Sequence, residues 1–279
     1  MTVRIVTDSS CDLSASEIEH HQITVVPLTI RFGHEEFTDG AGLSAENFYQ
    51  KMAASDELPS TAAPAPGAFE AAFRDLAAAG ASAVVCVNLS FALSATGESA
   101  QAAARATAGE VDVRVVDSGK VSAGLGIMVK AAAAAAAAGH SADEIEAQLA
   151  DLKDRVFIYG VLDTLENLKR GGRIGAAQAL LGSALSIKPC VDLTSGVVEE
   201  AGKQRTRGKA RKWLTAQIAQ AGELEHLAVA HGAADDIDAF VAGLGESPAH
   251  NPLTVGLIGP VVGTHAGPGV IAAAFVAAA

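Results

Sequence analysis

Short apolar runs alternate with amphipathic stretches through the first half of the chain. Residues 3–7, 24–30, 83–88 and 111–116 read as strands, each a short run rich in β-branched or apolar side chains. Between them, Ser14 and Glu17 form a capping box that opens a short helix. Ser44 caps a helix through Met52, and Pro66 with Gly67 opens an alanine-rich helix carrying Phe69 and Phe73. A further helix follows Ser94, and a long one runs through the eight consecutive alanines at 131–138. Strands that alternate with helices predict a parallel sheet covered on both faces.

The second half is patterned differently. Residues 155–162 read as a strand, followed by a helix ending in Lys169-Arg170-Gly171-Gly172-Arg173. Residues 187–193, the turn Thr194-Ser195-Gly196 and the segment from Val197 onward read as a hairpin. A helix around Trp213 leads to a strand at 227–230, and residues 254–258 are expected to be the last strand, followed by a tight loop and a terminal helix. The change of pattern places a domain boundary near 150–160. The expected fold class is α/β in two domains: 1–155, a parallel sheet with helices on both faces, and 156–279, a mixed α/β domain. The ligand is expected between them.

Composition narrows the function classes. With 49% hydrophobic and 19% charged residues among 279, the chain is globular rather than disordered. A net charge of -12 argues against a nucleic-acid binder, whose phosphate contacts require excess Lys and Arg. Three widely spaced cysteines, Cys11, Cys86 and Cys190, form neither a disulfide framework nor a metal motif. Eight alanines are too few to span a bilayer, and the uncharged tail from 251 is interrupted by glycines and prolines. Arg4 and Asp8 break any signal-peptide core, so a cytoplasmic protein without an integral membrane segment is expected.

Polar residues gather where apolar strands stop: Asp8-Ser9-Ser10, Asn88-Leu89-Ser90 and Asp117-Ser118. Ligands of open parallel sheets sit beyond these carboxyl ends, and such residues also cap helices. Four segments carry candidate chemistry. The proline-stiffened stretch 58–67 presents Thr61; Ser94 sits at a helix start, where an anion is favoured. Thr264 and His265 are the strongly polar side chains of a long uncharged stretch. From 203 to 212, six of ten residues are Lys or Arg, to which Arg170 and Arg173 can add, forming a phosphate-attracting or partner-docking patch. No GxxxxGK[ST] loop, GxSxG elbow or HExxH helix is present.

Taken in order, these segments resemble the DegV-like family of bacterial fatty-acid-binding proteins. The resemblance covers 3–278 as a single unit. It is carried by Ile5-Val-Thr-Asp-Ser-Ser10, the stretches 59–66 and 89–100, Val116-Asp-Ser118, Leu168-Lys-Arg-Gly-Gly-Arg-Ile174, Ile187-Lys-Pro189, Arg205-Thr-Arg207 and Gly263-Thr-His-Ala-Gly-Pro-Gly269. It implies a long-chain fatty acid held between two α/β domains, with no other cofactor and no metal. It further implies a non-enzymatic carrier, the lipid-bearing subunit of a fatty acid kinase. A separate ATP-binding kinase subunit phosphorylates the carboxylate to an acyl phosphate for phospholipid synthesis. By motif, Thr61, Ser94 and His265 match the residues at the carboxylate, and Arg205 matches a basic position near the head group. Arg170, Arg173, Arg205 and Arg207 form the phosphate or partner-docking set, without fixing an oligomeric state. Departures from the family pattern are Ala62, Ala65, Phe91, Ala95 and Gly97. Two other classes are carried alongside: a stand-alone acyl hydrolase or transferase using Ser94 and His265, and a lipid-sensing regulatory protein.

Overall fold

The computed structural model describes residues 2–55, 57–182, 187–245 and 247–278. Met1 and Ala279, the outer ends of the two expected domains, lie outside the described residues. In chain order the elements are β1 (Val3–Asp8), α1 (Ala15–His20), β2 (Thr24–Val26), β3 (Thr29–Phe32), β4 (Glu35–Thr38), α2 (Ala45–Ala54), β5 (Ser60–Ala62), α3 (Pro66–Ala78), β6 (Ala83–Asn88), α4 (Thr96–Ala106), β7 (Asp112–Asp117), α5 (Ala123–Ala137) and α6 (Ala142–Arg155). They continue with β8 (Val156–Val161), α7 (Glu166–Arg170), β9 (Lys188–Asp192), β10 (Glu199–Gln204), α8 (Arg207–Gln220), β11 (Leu224–His231), α9 (Ile237–Leu244), β12 (Thr254–Leu257), α10 (Pro260–Ala266) and β13 (Ile271–Ala277).

The parallel sheet runs in the order β2-β1-β6-β7. All six residues of β6 are buried, as a strand covered on both faces requires. Its alternate residues face opposite ways. Val85 and Val87 join α5 and α6 in one core through Leu125, Met128 and Ile145. Val84 and Cys86 meet Phe69 and Phe73 of α3 and Ala100 and Ala103 of α4 in another. The expected capping box is present at Ser14 and Glu17, and Ser44 caps α2.

A six-stranded mixed sheet follows, in the order β10-β9-β8-β13-β11-β12. The hairpin expected around Thr194 is β9 and β10, paired antiparallel. Two expectations are corrected. Residues 24–30 are not one strand: Pro27 divides them, so β2 joins the parallel sheet while β3 joins a separate three-stranded antiparallel sheet, β4-β3-β5. The tail also departs from expectation. The glycine-rich segment forms the short helix α10, and the terminal segment is the strand β13, not a helix. Gly267 and Gly269, at φ 79° and 76°, turn the chain out of α10. The Ala-rich run then lies between β8 and β11, bonded antiparallel to both, so ladder hydrogen bonds override alanine's helix preference. Among the described residues no helix is long and apolar enough to cross a membrane.

Candidate functional site

The polar clusters at the strand ends act first as braces. Asp8, fully buried, accepts from the Ser10 amide and hydroxyl, from Asn88 Nδ2 at 3.1 Å and from the Leu89 amide at 2.9 Å. Burial raises the Asp8 pKa, and these donors oppose the rise. Asp117 Oδ1 accepts from the Phe91 and Gly119 amides, and the Ser90 hydroxyl donates to Gly196 O at 2.6 Å. The loop that begins at Leu89 is therefore fixed to three elements before it reaches Ser94.

Thr61 is carried on β5 rather than on a free loop, opposite Ile30 of β3. Pro59 and Pro64 flank this short strand and keep it from extending. Ser94 precedes α4 by two residues. The capping position is Ala95, and Ser94 Oγ lies 2.9 Å from Thr96 Oγ1 and accepts from the Thr96 amide. His265 sits near the end of α10. That helix is held by Asn167 Nδ2, which donates to Thr264 O, and by Tyr49, whose hydroxyl donates to Ile258 O just before it.

These elements bring Thr61, Ser94 and His265 to the wall of one cavity of 90 Å³. The rest of its lining is apolar, with Leu28, Leu89, Leu168, Leu193 and Val261 among its walls, except for Arg173. Thr61 Oγ1 lies 2.9 Å from His265 Nε2. Burial lowers the His265 pKa from 6.5 to about 4, and the nearby Arg173 charge adds to the fall, so the imidazole is neutral at pH 7. Nδ1 is buried without a partner. A buried N–H left unpaired costs more than a bare lone pair, so the proton is assigned to Nε2, which donates to Thr61. The Thr61 hydroxyl hydrogen is then free to point at an anionic oxygen.

This tautomer argues against the hydrolase reading. His265 is bonded to Thr61 and Ser94 to Thr96, and no carboxylate orients Nδ1. The pH behaviour follows with a definite sign. Below pH 6.5 the unfolded chain protonates this histidine while the folded one resists down to about 4, so its contribution to stability is lost on acidification across that window. The melting temperature of the native protein is expected to fall between pH 6.5 and 4 relative to that of a His265→Gln variant. Parallel curves in a thermal melt series would contradict the assignment.

The four arginines divide. Arg173 lines the cavity, with Nε donating to Leu93 O and Nη1 to Gly171 O. Two further cavities, of 440 and 330 Å³, meet this side chain. One also reaches Thr61, His265 and Arg170, and the other Ser94 and Phe91. Arg170 is exposed and paired with Glu166, and Arg205 is exposed. Arg207 is turned inward, with two hydrogen bonds to Asp236 and a further contact with Asp163, so its charge is largely matched within the fold. Arg211 also pairs with Asp236. Asn167 lies outside every motif quoted above, and Gly171, though within the stretch 168–174, was not marked there as a neighbour of His265 Nδ1.

Residues 2–278 match the family model for DegV, a family described as uncharacterised. The chain belongs to the DegV family. A DegV domain-containing protein of Streptomyces coelicolor is 38% identical over 273 residues, covering 96% of each chain. Among solved structures, a fatty-acid-binding DegV protein of Thermus thermophilus aligns with a TM-score of 0.89 at 32% identity over 100% of both chains. DegV of Bacillus subtilis, described as a fatty acid binding protein, aligns at 0.88 and 29% identity, again over 100% of both chains. The α/β fold of this DegV protein, with its parallel sheet followed by a mixed one, is the fold of these relatives.

Proposed function

We propose that this DegV protein binds a long-chain fatty acid, with the carboxylate at Thr61, Ser94 and His265, and presents it in the cytoplasm to a separate ATP-binding kinase subunit. That subunit phosphorylates the carboxylate to an acyl phosphate for phospholipid synthesis. The observation that carries the reading is convergence: three residues from 61 to 265 line one cavity whose other walls are almost wholly apolar. The fatty-acid-binding structural relatives support it.

The physics divides the labour. Each buried methylene is worth about 0.8 kcal/mol, so roughly 14 of them offer about 11 kcal/mol. Affinity therefore needs no ion pair, and the polar trio is free to set orientation. Neutral His265 donates to Thr61, Thr61 donates to one carboxylate oxygen, and Ser94 donates to the other. One lone pair is left facing the cavities beside Arg173 and Arg170, where a phosphoryl group would arrive. A tail longer than 90 Å³ holds is accommodated by parting leucine and valine side chains around Leu168, Val191 and Val198. The division into 1–155 and 156–279 is part of the proposal. It is supported by the end of α6 at Arg155, with the parallel sheet entirely before it and the mixed sheet entirely after it.

Solvent extraction of the purified protein followed by mass spectrometry is expected to release about one long-chain fatty acid per chain. Lipid-free protein that cannot be loaded with fatty acid would end the proposal, as would turnover of acyl esters by the protein alone.

A further inference from the structure

The loop that follows β1 meets α10 at one side chain. Asp12 Oδ1 accepts from the Gly259 amide at 3.0 Å, and Oδ2 is hydrogen-bonded to Ser122 Oγ. Gly259 caps the start of α10, the helix that carries His265, and Ser122 caps the start of α5. Their neighbours Val121, Val261 and Val262 line the cavity shared by Thr61, Ser94 and His265. On its other side Asp12 lines a cleft of 930 Å³, together with Ala123, Gly259 and Pro260. The carboxyl group therefore stands in the partition between cavity and cleft.

The joint is tight. A Cβ on Gly259 would lie 2.6 Å from Asp12 Oδ1. Ser122 is held at φ 54° and ψ −135°, a conformation strained for any residue but glycine, and its amide donates to Ser10 O at 2.9 Å. No cation offsets the carboxyl group: Lys130, which lines the same cleft, is bonded to Glu17. The acids facing the joint are Asp8 of β1, Asp39 after β4 and Glu46 of α2. Burial raises the Asp12 pKa from 3.8 to about 8, with Asp39 and Asp8 adding to the rise and the Ser122 and Gly259 bonds opposing it. Burial also brings Asp39 to about 6, pushes the Cys11 thiol and Tyr49 phenol up, and lowers His231 and His265.

We propose that Asp12 is a positioning residue for His265: its carboxyl group pins the start of α10 to the start of α5, and this sets how closely the imidazole approaches Thr61. The pin works as an acid. Protonated, it fills both bonds without adding a charge. Ionised, it repels Asp39 and turns toward the solvent in the cleft, and α10 is released at Gly259. An asparagine would make the same two bonds without titrating, so what the carboxyl group adds is pH dependence. The consequence for phosphorylation rests on the lipid reading, whereas the movement of His265 does not.

Asparagine and glycine both adopt the φ 51° of residue 12, so Asp12→Asn and Asp12→Gly leave the backbone unstrained. The test reads the His265 ring resonances by NMR in the protein alone between pH 6.5 and 9. The native signals are expected to shift with a midpoint near pH 8, those of Asp12→Asn to stay put, and those of Asp12→Gly to be displaced throughout. Gly259→Ala, whose methyl group would strike Oδ1, should act like Asp12→Gly and add nothing in that background. With the kinase subunit present, native phosphorylation should fall at least fivefold relative to Asp12→Asn between pH 7 and 9, while lipid affinity changes less than twofold. Ring signals of Asp12→Asn that still titrate near pH 8, or native signals in Asp12→Gly, would overturn the proposal. If the rings behave as expected and phosphorylation does not follow, the pin stands and the lipid reading fails.

Discussion

Kinase-dependent phosphorylation of bound fatty acid is expected to fall at least a hundredfold in the double variant Thr61→Ala with Ser94→Ala, while lipid affinity falls about tenfold or less. The asymmetry follows from what each group does. A hydrogen bond to a charged group is worth roughly 1.5–3 kcal/mol when its loss leaves the charge bare. In the proposed complex the carboxylate lies beside the 440 Å³ cavity, where water can replace the lost hydroxyls and soften the loss. On the proposed reading most of the affinity resides in the buried tail, which the substitutions leave alone. Phosphoryl transfer has no such substitute, because in-line attack requires one carboxylate oxygen held still, and freedom to rotate removes that advantage. The comparison is between a lipid-binding isotherm and single-turnover phosphorylation with the kinase subunit present. Equal losses in both would mean that the hydroxyls serve affinity, and the proposed division would fail.

Gly171→Ala is expected to disable the same site without removing a polar group. Gly171 follows α7 at φ −72° and ψ −8°, a conformation alanine adopts freely. A Cβ there would lie 2.3 Å from His265 Nδ1 and 2.9 Å from Cε1, closer than any side chain tolerates. The imidazole must move, and its bond to Thr61 is lost. The overpacking is expected to cost roughly 1–3 kcal/mol of stability. Phosphorylation is expected to drop to the level of a His265→Ala variant. The decisive measurement is a double-mutant cycle: in a His265→Ala background the substitution at 171 should cost almost nothing, because the ring it strikes is gone. A penalty that persists there would place the damage in the α7 backbone. The His265 ring resonances, read by NMR in the Gly171→Ala protein, report the displacement directly.

Much of the scaffold was legible along the chain because each element of the first half satisfies its own local rule. β6 is apolar up to its last residue, Asn88, and it is covered on both faces. Ser14 and Ser44 are helix caps by chemistry, and they cap helices. The errors have a common origin. Residues 24–30 were expected to form one strand, yet the missing N–H at Pro27 lets the chain leave one sheet for another. The terminal alanines were expected to form a helix, and their place between β8 and β11 decided otherwise.

The candidate site shows the same division more sharply. Residue type and order along the chain determined that Thr61, Ser94 and His265 were worth testing, since hydroxyls and an imidazole within apolar stretches are chemically conspicuous. Charge density alone likewise marked the run around Arg205 and Arg207. Only the tertiary structure decided that the first three share a cavity, that Arg173 lines it, and that Arg207 faces Asp236 instead. The reason is physical. Local sequence fixes backbone conformation and solvent preference over a few residues, whereas pairing between positions some 200 apart depends on how sheets and helices stack. Gly171 is the clearest case, for its role consists of a missing atom beside a ring 94 residues away, and no pattern along the chain records that.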